Sequence, residues 1–197
     1  NARRVALGKK LGNMIWPWGQ GKRVNIPTLE ERFGVRGVVI SAVDLIRGIG
    51  VYAGMDIVDV PGATGYYDTN YEGKADYALK ALESHDLVFI HVEAPDEAGH
   101  GGDYVQKIRS IEDLDKRLIG RLVKGLGRWD CAIAVLSDHA TPVRVRTHTG
   151  DPVPFTIRSP LVEPDGVKRF DEVSAREGGF GFLERGEMFM PLFMGIE

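Results

Sequence analysis

Five side chains of the kinds that bind divalent metals stand in three short islands: Asp96 and His100 in APDEAGHGG, Asp138 and His139 in LSDHA, and His148 in THTGDPVPF. Carboxylates mixed with imidazoles suit Mn²⁺, Zn²⁺ or Fe²⁺, whereas an all-oxygen set would suit Mg²⁺ or Ca²⁺. Such a set is the make-up of a two-metal centre for hydrolysis or phosphoryl transfer. The residues therefore point first to a metalloenzyme.

Taken singly, each has a plainer reading. Asp96 follows an apolar run and reads equally as a helix cap, and Glu93 is either a strand-end carboxylate or a group that orients an imidazole. His91, inside the run, reads as a packed or hydrogen-bonded histidine, and His85, in the turn ESHD, as an exposed one. Asp103 reads as the cap of the helix that follows it. Ser137 and Thr147 place hydroxyls beside Asp138 and His148, where a nucleophile would be useful, but both read as structural.

For the islands to meet, the chain must bring three distant segments to one place. The runs Gly37 to Val43, Met55 to Val60, Asp86 to Glu93 and Asp130 to Asp138 are rich in β-branched residues and read as buried parallel strands. Helical patterns lie between them. Thr28 to Phe33 opens with a capping box of Thr28 and Glu31, Lys74 to Leu82 is rich in Ala, Leu and Lys, and Tyr104 to Leu126 repeats apolar residues near every 3.6 positions. Strands alternating with helices predict an α/β sandwich. Ligands of an open parallel sheet bind beyond the carboxyl ends of its strands, and two of the islands follow such ends directly. Pro95 suits the first position of a helical turn that would set Asp96 and His100 on one face, and glycines nearby predict that the turn is brief. Adjacent Asp138 and His139 reach one place only if the strand stops there and the backbone bends. The stretch after Pro160 is charged and irregular and reads as a closure over the sheet.

Composition sets the outer limits. The chain has 197 residues, 43% of them hydrophobic and 27% charged, with a formal net charge of −3. One or two domains fit, and a chain of this length buries roughly 70% of its unfolded surface, so metals would serve catalysis and not folding. The single cysteine, Cys131, excludes a disulfide framework and a cysteine-based zinc site. No apolar run reaches membrane-spanning length, and NARRVALGKKLGN lacks the apolar core of a secretory signal, so a cytoplasmic protein with no membrane partner is expected. Arg3, Arg4, Lys9 and Lys10 carry no interleaved aromatic residues in a chain of acidic balance, and they read as solvated helix surface, not a nucleic-acid site. The opening on Asn1 predicts that an upstream portion exists.

In order, DEAGH after a strand, SIEDLD on a long helix, VLSDHA and HTGDPVP form a set that resembles the archaeal-type 2,3-bisphosphoglycerate-independent phosphoglycerate mutases of the alkaline phosphatase superfamily. IWPWGQG, ISAVDLIRGIG and GATGYYDTNYEGKA resemble that branch too. The resemblance implies a three-layer α/β sandwich with a mainly parallel, alkaline phosphatase-like sheet, incomplete at its amino end. Residues 1–13 would be the exit from a missing cap domain, and 14–197 the carboxyl-terminal part of the metal-binding domain. It implies two divalent ions, Mn²⁺ first with Zn²⁺, Co²⁺ or Mg²⁺ as alternatives, one on Asp96, His100 and His148 and the other on Asp138 and His139. A serine nucleophile and a further aspartate would lie in the amino-terminal half, the partner this chain needs. Arg47 would contact substrate phosphate or be a surface arginine. The implied activity is the glycolytic interconversion of 3-phosphoglycerate and 2-phosphoglycerate through a phosphoserine, with the isolated chain inactive. Another metal-dependent phosphatase or phosphomutase of that superfamily, or a non-catalytic remnant, are the alternatives.

Overall fold

A computed structural model of the chain describes residues 1–17, 19–127 and 130–195, so Trp18 of the IWPWGQG motif lies outside the described residues. The first helix, α1 (Ala2–Ala6), is exposed along its length, and Arg3 and Arg4 face solvent as the charge pattern predicts. In α2 (Leu29–Phe33) the Thr28 side chain accepts from the Glu31 backbone while the Glu31 carboxylate accepts from the Thr28 backbone, the reciprocal capping read from the sequence.

Three of the apolar runs form one parallel sheet. β1 (Gly37–Ile40) lies between β2 (Asp56–Ile57) and β3 (Leu87–Ile90), with Val39 opposite both Ile57 and Phe89. Neighbouring residues of a strand point to opposite faces, and both faces here carry a helix. On the Val39 face, α3 (Asp44–Tyr52) approaches so closely that a Cβ at Gly50 would overlap the Val39 side chain. On the other, Ile40 packs with Val60 and with Ala78 of α4 (Tyr71–Ala81), joined by Val88, Ile90 and Leu122. The result is the α/β layering expected from the alternation of elements.

Beyond β3 come α5 (Ala94–Gly101) and one long helical stretch: α6 (Tyr104–Asp113), a wide π turn over Leu114–Ile119, and α7 (Gly120–Leu126). This stretch lies along α4, where Arg117 forks onto Glu72 at 2.7 and 2.9 Å and Arg121 onto Asp76 at 2.5 and 2.9 Å. Asp103 caps α6 by accepting from the Gln106 backbone.

The fourth apolar run departs from the parallel arrangement. β4 (Ile133–Leu136) pairs antiparallel with β5 (Phe155–Arg158), from Ile133 opposite Arg158 to Leu136 opposite Phe155. Its residues are half-buried or exposed, whereas a central parallel strand is buried on both faces. β5 is only four residues long and follows Pro152 and Pro154, so its sequence signal is that of a loop. The closing segment packs on this pair: Phe180 and Phe189 place their rings 5.8 and 5.5 Å from that of Phe155, with Phe189 opening α8 (Phe189–Met194). Among the described residues, no helix is long and apolar enough to cross a membrane.

Candidate metal centre

The three islands meet. Pro95 sits in the first turn of α5, and that helix runs eight residues, longer than the brief turn expected, before Gly102 ends it in the left-handed conformation at φ 72°. Asp96 and His100 therefore lie one turn apart on one face. Asp96 does not cap: Glu93 is the N-cap residue, without a side-chain bond to the helix, and the Asp96 oxygens face Thr141, His100 and His148. Its Oδ2 lies 3.4 Å from His100 Nε2 and its Oδ1 3.4 Å from Nε2 of His148, which arrives from the segment between β4 and β5. The two Nε2 atoms are 3.1 Å apart.

His100 Nδ1 lies 3.0 Å from the carbonyl oxygen of Arg146. A carbonyl only accepts, so Nδ1 carries a proton and in the neutral ring Nε2 is bare. Arg146 presents that carbonyl from a left-handed backbone at φ 59°, a conformation costly for a residue with a Cβ, and found where a site over-determines it. The bare nitrogen faces His148 Nε2 at 3.1 Å, where it either accepts the His148 ring proton or shares a cation with that nitrogen. Donor atoms around a four-coordinate ion with bonds near 2.1 Å lie about 3.4 Å apart. The Nε2–Nε2 separation of 3.1 Å and the N–O separations of 3.4 Å, one to each Asp96 oxygen, lie near that spacing; one donor atom from each residue falls within 4.8 Å of the others, and the N, N, O set suits a borderline divalent cation.

Asp138 and His139 stand beside this cluster. β4 stops at Leu136, the chain bends at both residues, and the Asp138 carboxylate accepts from the His139 backbone, so the two side chains share one side as predicted. Asp138 Oδ2 lies 3.5 Å from His139 Nε2, and the His139 ring lies against that of His148, tilted by 30° with centroids 3.7 Å apart. A cavity of about 1680 Å³ opens from Asp138 and Ser137 toward Phe189 and is also lined by Arg158, Lys168 and Arg169; Arg47 is not part of its wall. Arg47 lies on α3, bound to Asp59 at 2.6 Å.

Several contributors carry no signal in the sequence. The hydroxyl of buried Thr141 lies 2.5 Å from Asp96 Oδ1 and 3.2 Å from His139 Nδ1. Lys107 donates to the Thr141 carbonyl at 2.6 Å. Lys74, wholly buried in α4, donates to the His91 carbonyl at 2.9 Å, and burial pushes its pKa down to about 8 against the pull of Glu93. Glu93, Asp96 and Glu97 bring carboxylate oxygens together, and burial, then its acidic neighbours, raises the Glu93 pKa. His91 bonds Ser41 Oγ at 3.3 Å, its pKa lowered chiefly by burial.

His85 corrects an expectation. Its side chain is only 19% exposed, with Nε2 3.0 Å from Asp56 and Nδ1 3.1 Å from the Ala81 carbonyl. Its partner lies 29 positions upstream, beyond the reach of a local turn pattern.

Known proteins share this sequence and this fold. The chain is 52% identical over 99% of its length to a 2,3-bisphosphoglycerate-independent phosphoglycerate mutase of Methanothrix thermoacetophila, and 50% identical over 98% to a probable one of Geobacter sulfurreducens. It covers 50% and 48% of those proteins, so it spans about half the length of the curated relatives it matches. A solved Pyrococcus horikoshii protein superposes with a TM-score of 0.82 at 36% identity, covering 86% of this chain and 51% of the other. The cofactor-independent phosphoglycerate mutase of Thermoplasma acidophilum gives 0.60 at 30% identity, covering 78% of this chain and 35% of its own. The model of the Metalloenzyme superfamily matches residues 4–190, and with its donors gathered at the ends of the strands the chain belongs to that superfamily.

Proposed function

We propose that this chain supplies most of a two-metal site for phosphoryl transfer, and that the complete enzyme interconverts 3-phosphoglycerate and 2-phosphoglycerate without added bisphosphoglycerate. The observation that carries this is the convergence of Asp96, His100 and His148 within reach of a single ion, with the His139 ring against that of His148 and Asp138 beside His139. The relatives named as mutases support the same chemistry.

Asp96, His100 and His148 would hold one divalent ion, and Asp138 and His139 would contribute to a second. Mn²⁺ heads the candidates, followed by Zn²⁺, Co²⁺ and Mg²⁺. Bound cations neutralise phosphoryl oxygens and orient an in-line displacement. The chain's residues prepare for that. The Arg146 carbonyl keeps His100 bare at Nε2, Thr141 directs Asp96, and Lys74 ties down the end of β3. A serine and a further aspartate from the remaining half complete the site in this proposal; the phosphoryl group passes from substrate to that serine and returns to the other hydroxyl of glycerate. Water must be kept out while the phosphoserine persists, or hydrolysis replaces transfer. Residues 1–13 would lead from the cap domain that closes over the substrate, residues 14–197 would belong to the metal-binding domain, and Arg47 would reach substrate phosphate by exchanging Asp59 for it. The complete enzyme would act in the cytoplasm.

The test is phosphorus NMR of 3-phosphoglycerate incubated with Mn²⁺ and the full-length polypeptide. Formation of 2-phosphoglycerate is expected, and its loss in His100→Ala. Release of inorganic phosphate without interconversion would overturn the mutase assignment in favour of a phosphatase.

A further inference from the structure

Thr141 is 4% exposed, lies in the loop after β4, and touches both sets of donors. A hydroxyl carries one proton, and an ionised carboxylate can only accept. With Asp96 Oδ1 at 2.5 Å, the Thr141 proton is committed to Asp96. What remains to face His139 Nδ1, 3.2 Å away, is a lone pair, so the hydrogen of that contact must come from the imidazole. The neutral His139 ring thereby carries its proton on Nδ1 and leaves Nε2 bare, on the side where Asp138 Oδ2 lies 3.5 Å away. The Arg146 carbonyl imposes the same tautomer on His100.

The backbone of Thr141 is fixed independently of its hydroxyl. Lys107 reaches out of α6 to its carbonyl at 2.6 Å, and α5 packs so tightly beneath it that only a glycine fits at position 99. The backbone that presents the hydroxyl therefore cannot shift without moving a helix.

We propose that Thr141 is a positioning residue that couples the two sets of donors, aiming Asp96 at His100 and His148 while setting His139 as the Nδ1–H tautomer, ready to bind a divalent cation through Nε2. The cation-binding role rests on the metal centre proposed above. The tautomer is a property of the metal-free chain and stands or falls by itself.

Long-range ¹H–¹⁵N NMR of the ¹⁵N-labelled, metal-free chain reads the tautomer directly, and visible absorption during a Co²⁺ titration reads the metal. The expected result is Nδ1–H at His139 in the native sequence, loss of that preference in Thr141→Val, and its return in Thr141→Ser. Partners at this remove from a metal typically change affinity by about 10- to 100-fold, so Co²⁺ should bind that much more weakly to Thr141→Val and near normally to Thr141→Ser. An Nε2–H His139 in the native chain would overturn the proposal, a measurement that needs no variant to fold. Undiminished Co²⁺ binding by a folded Thr141→Val would overturn it as well. Should the native chain bind no Co²⁺, the metal centre is refuted, while the tautomer still decides the role of Thr141.

Discussion

Gly99→Ala sets two physical effects against each other. Gly99 is buried in α5 between Asp96 and His100, and in a helix interior alanine is favoured over glycine by about 1 kcal/mol. Helix propensity alone therefore predicts a more stable protein. The structure predicts the opposite, because the new methyl would overlap the Thr141 carbonyl oxygen and approach its Cγ2 to 2.9 Å and its Cβ to 3.1 Å. Backbone is what must give, since Lys107 and Asp96 hold both ends of Thr141. Overpacking of this kind costs about 1–3 kcal/mol, leaving a net loss of about 1 kcal/mol after the propensity gain. For a chain of this size that lowers the melting temperature by about 3 °C. Pushing the Thr141 loop away from α5 also separates His148 and His139 from Asp96 and His100, so Co²⁺ binding should weaken along with stability. Thermal unfolding followed by circular dichroism and a Co²⁺ titration on the same sample check both. A rise in melting temperature with unchanged affinity would show that the loop does not press on the helix and would refute the reasoning.

His100→Ala or Asp96→Asn should remove one equivalent of bound Mn²⁺, measured by elemental analysis after dialysis, without loss of helical circular dichroism; unchanged metal content would refute the ligand assignment. Lys74→Met tests the buried ammonium. Folding lowers the Lys74 pKa to about 8 from about 10.4 in the unfolded chain, so between those values the unfolded state binds the extra proton and stability rises with pH. The native protein should gain about 3 kcal/mol over Lys74→Met between pH 8 and pH 10.4 in urea unfolding, and parallel profiles would show that burial does not perturb the lysine. His85→Ala should cost about 1–2 kcal/mol through its lost bonds to Asp56 and the Ala81 carbonyl, with Co²⁺ affinity unchanged because those partners lie at the amino end of the parallel sheet, away from the donors. An equal loss of metal binding would place His85 in the site.

What a sequence discloses depends on how far the responsible interaction reaches. β1 is legible because a continuous β-branched run buries both its faces, β3 because its apolar run persists although Phe89 stays exposed, and the Thr28 cap because its partner is three residues away. The proposed metal donors are legible for a different reason: imidazoles and carboxylates clustered after strands have few other uses in combination, though each alone is ambiguous. β5 escapes notice as four residues behind two prolines, and with it goes the pairing direction of β4, because a strand's own residues do not state which neighbour will come to its edge. Thr141 is less legible still. Its hydroxyl matters only because α5, 45 positions earlier, brings Asp96 beside it, and the same side chain on any other loop would be solvated. Lys74 and the Arg146 carbonyl act in the same way, through backbone oxygens that every residue possesses. Chemistry that depends on residue type can thus be read along the chain, whereas the groups that aim it act through contacts that exist only after folding. A variant that keeps every donor but replaces Thr141 or Gly99 would look intact in sequence and should still bind metal poorly.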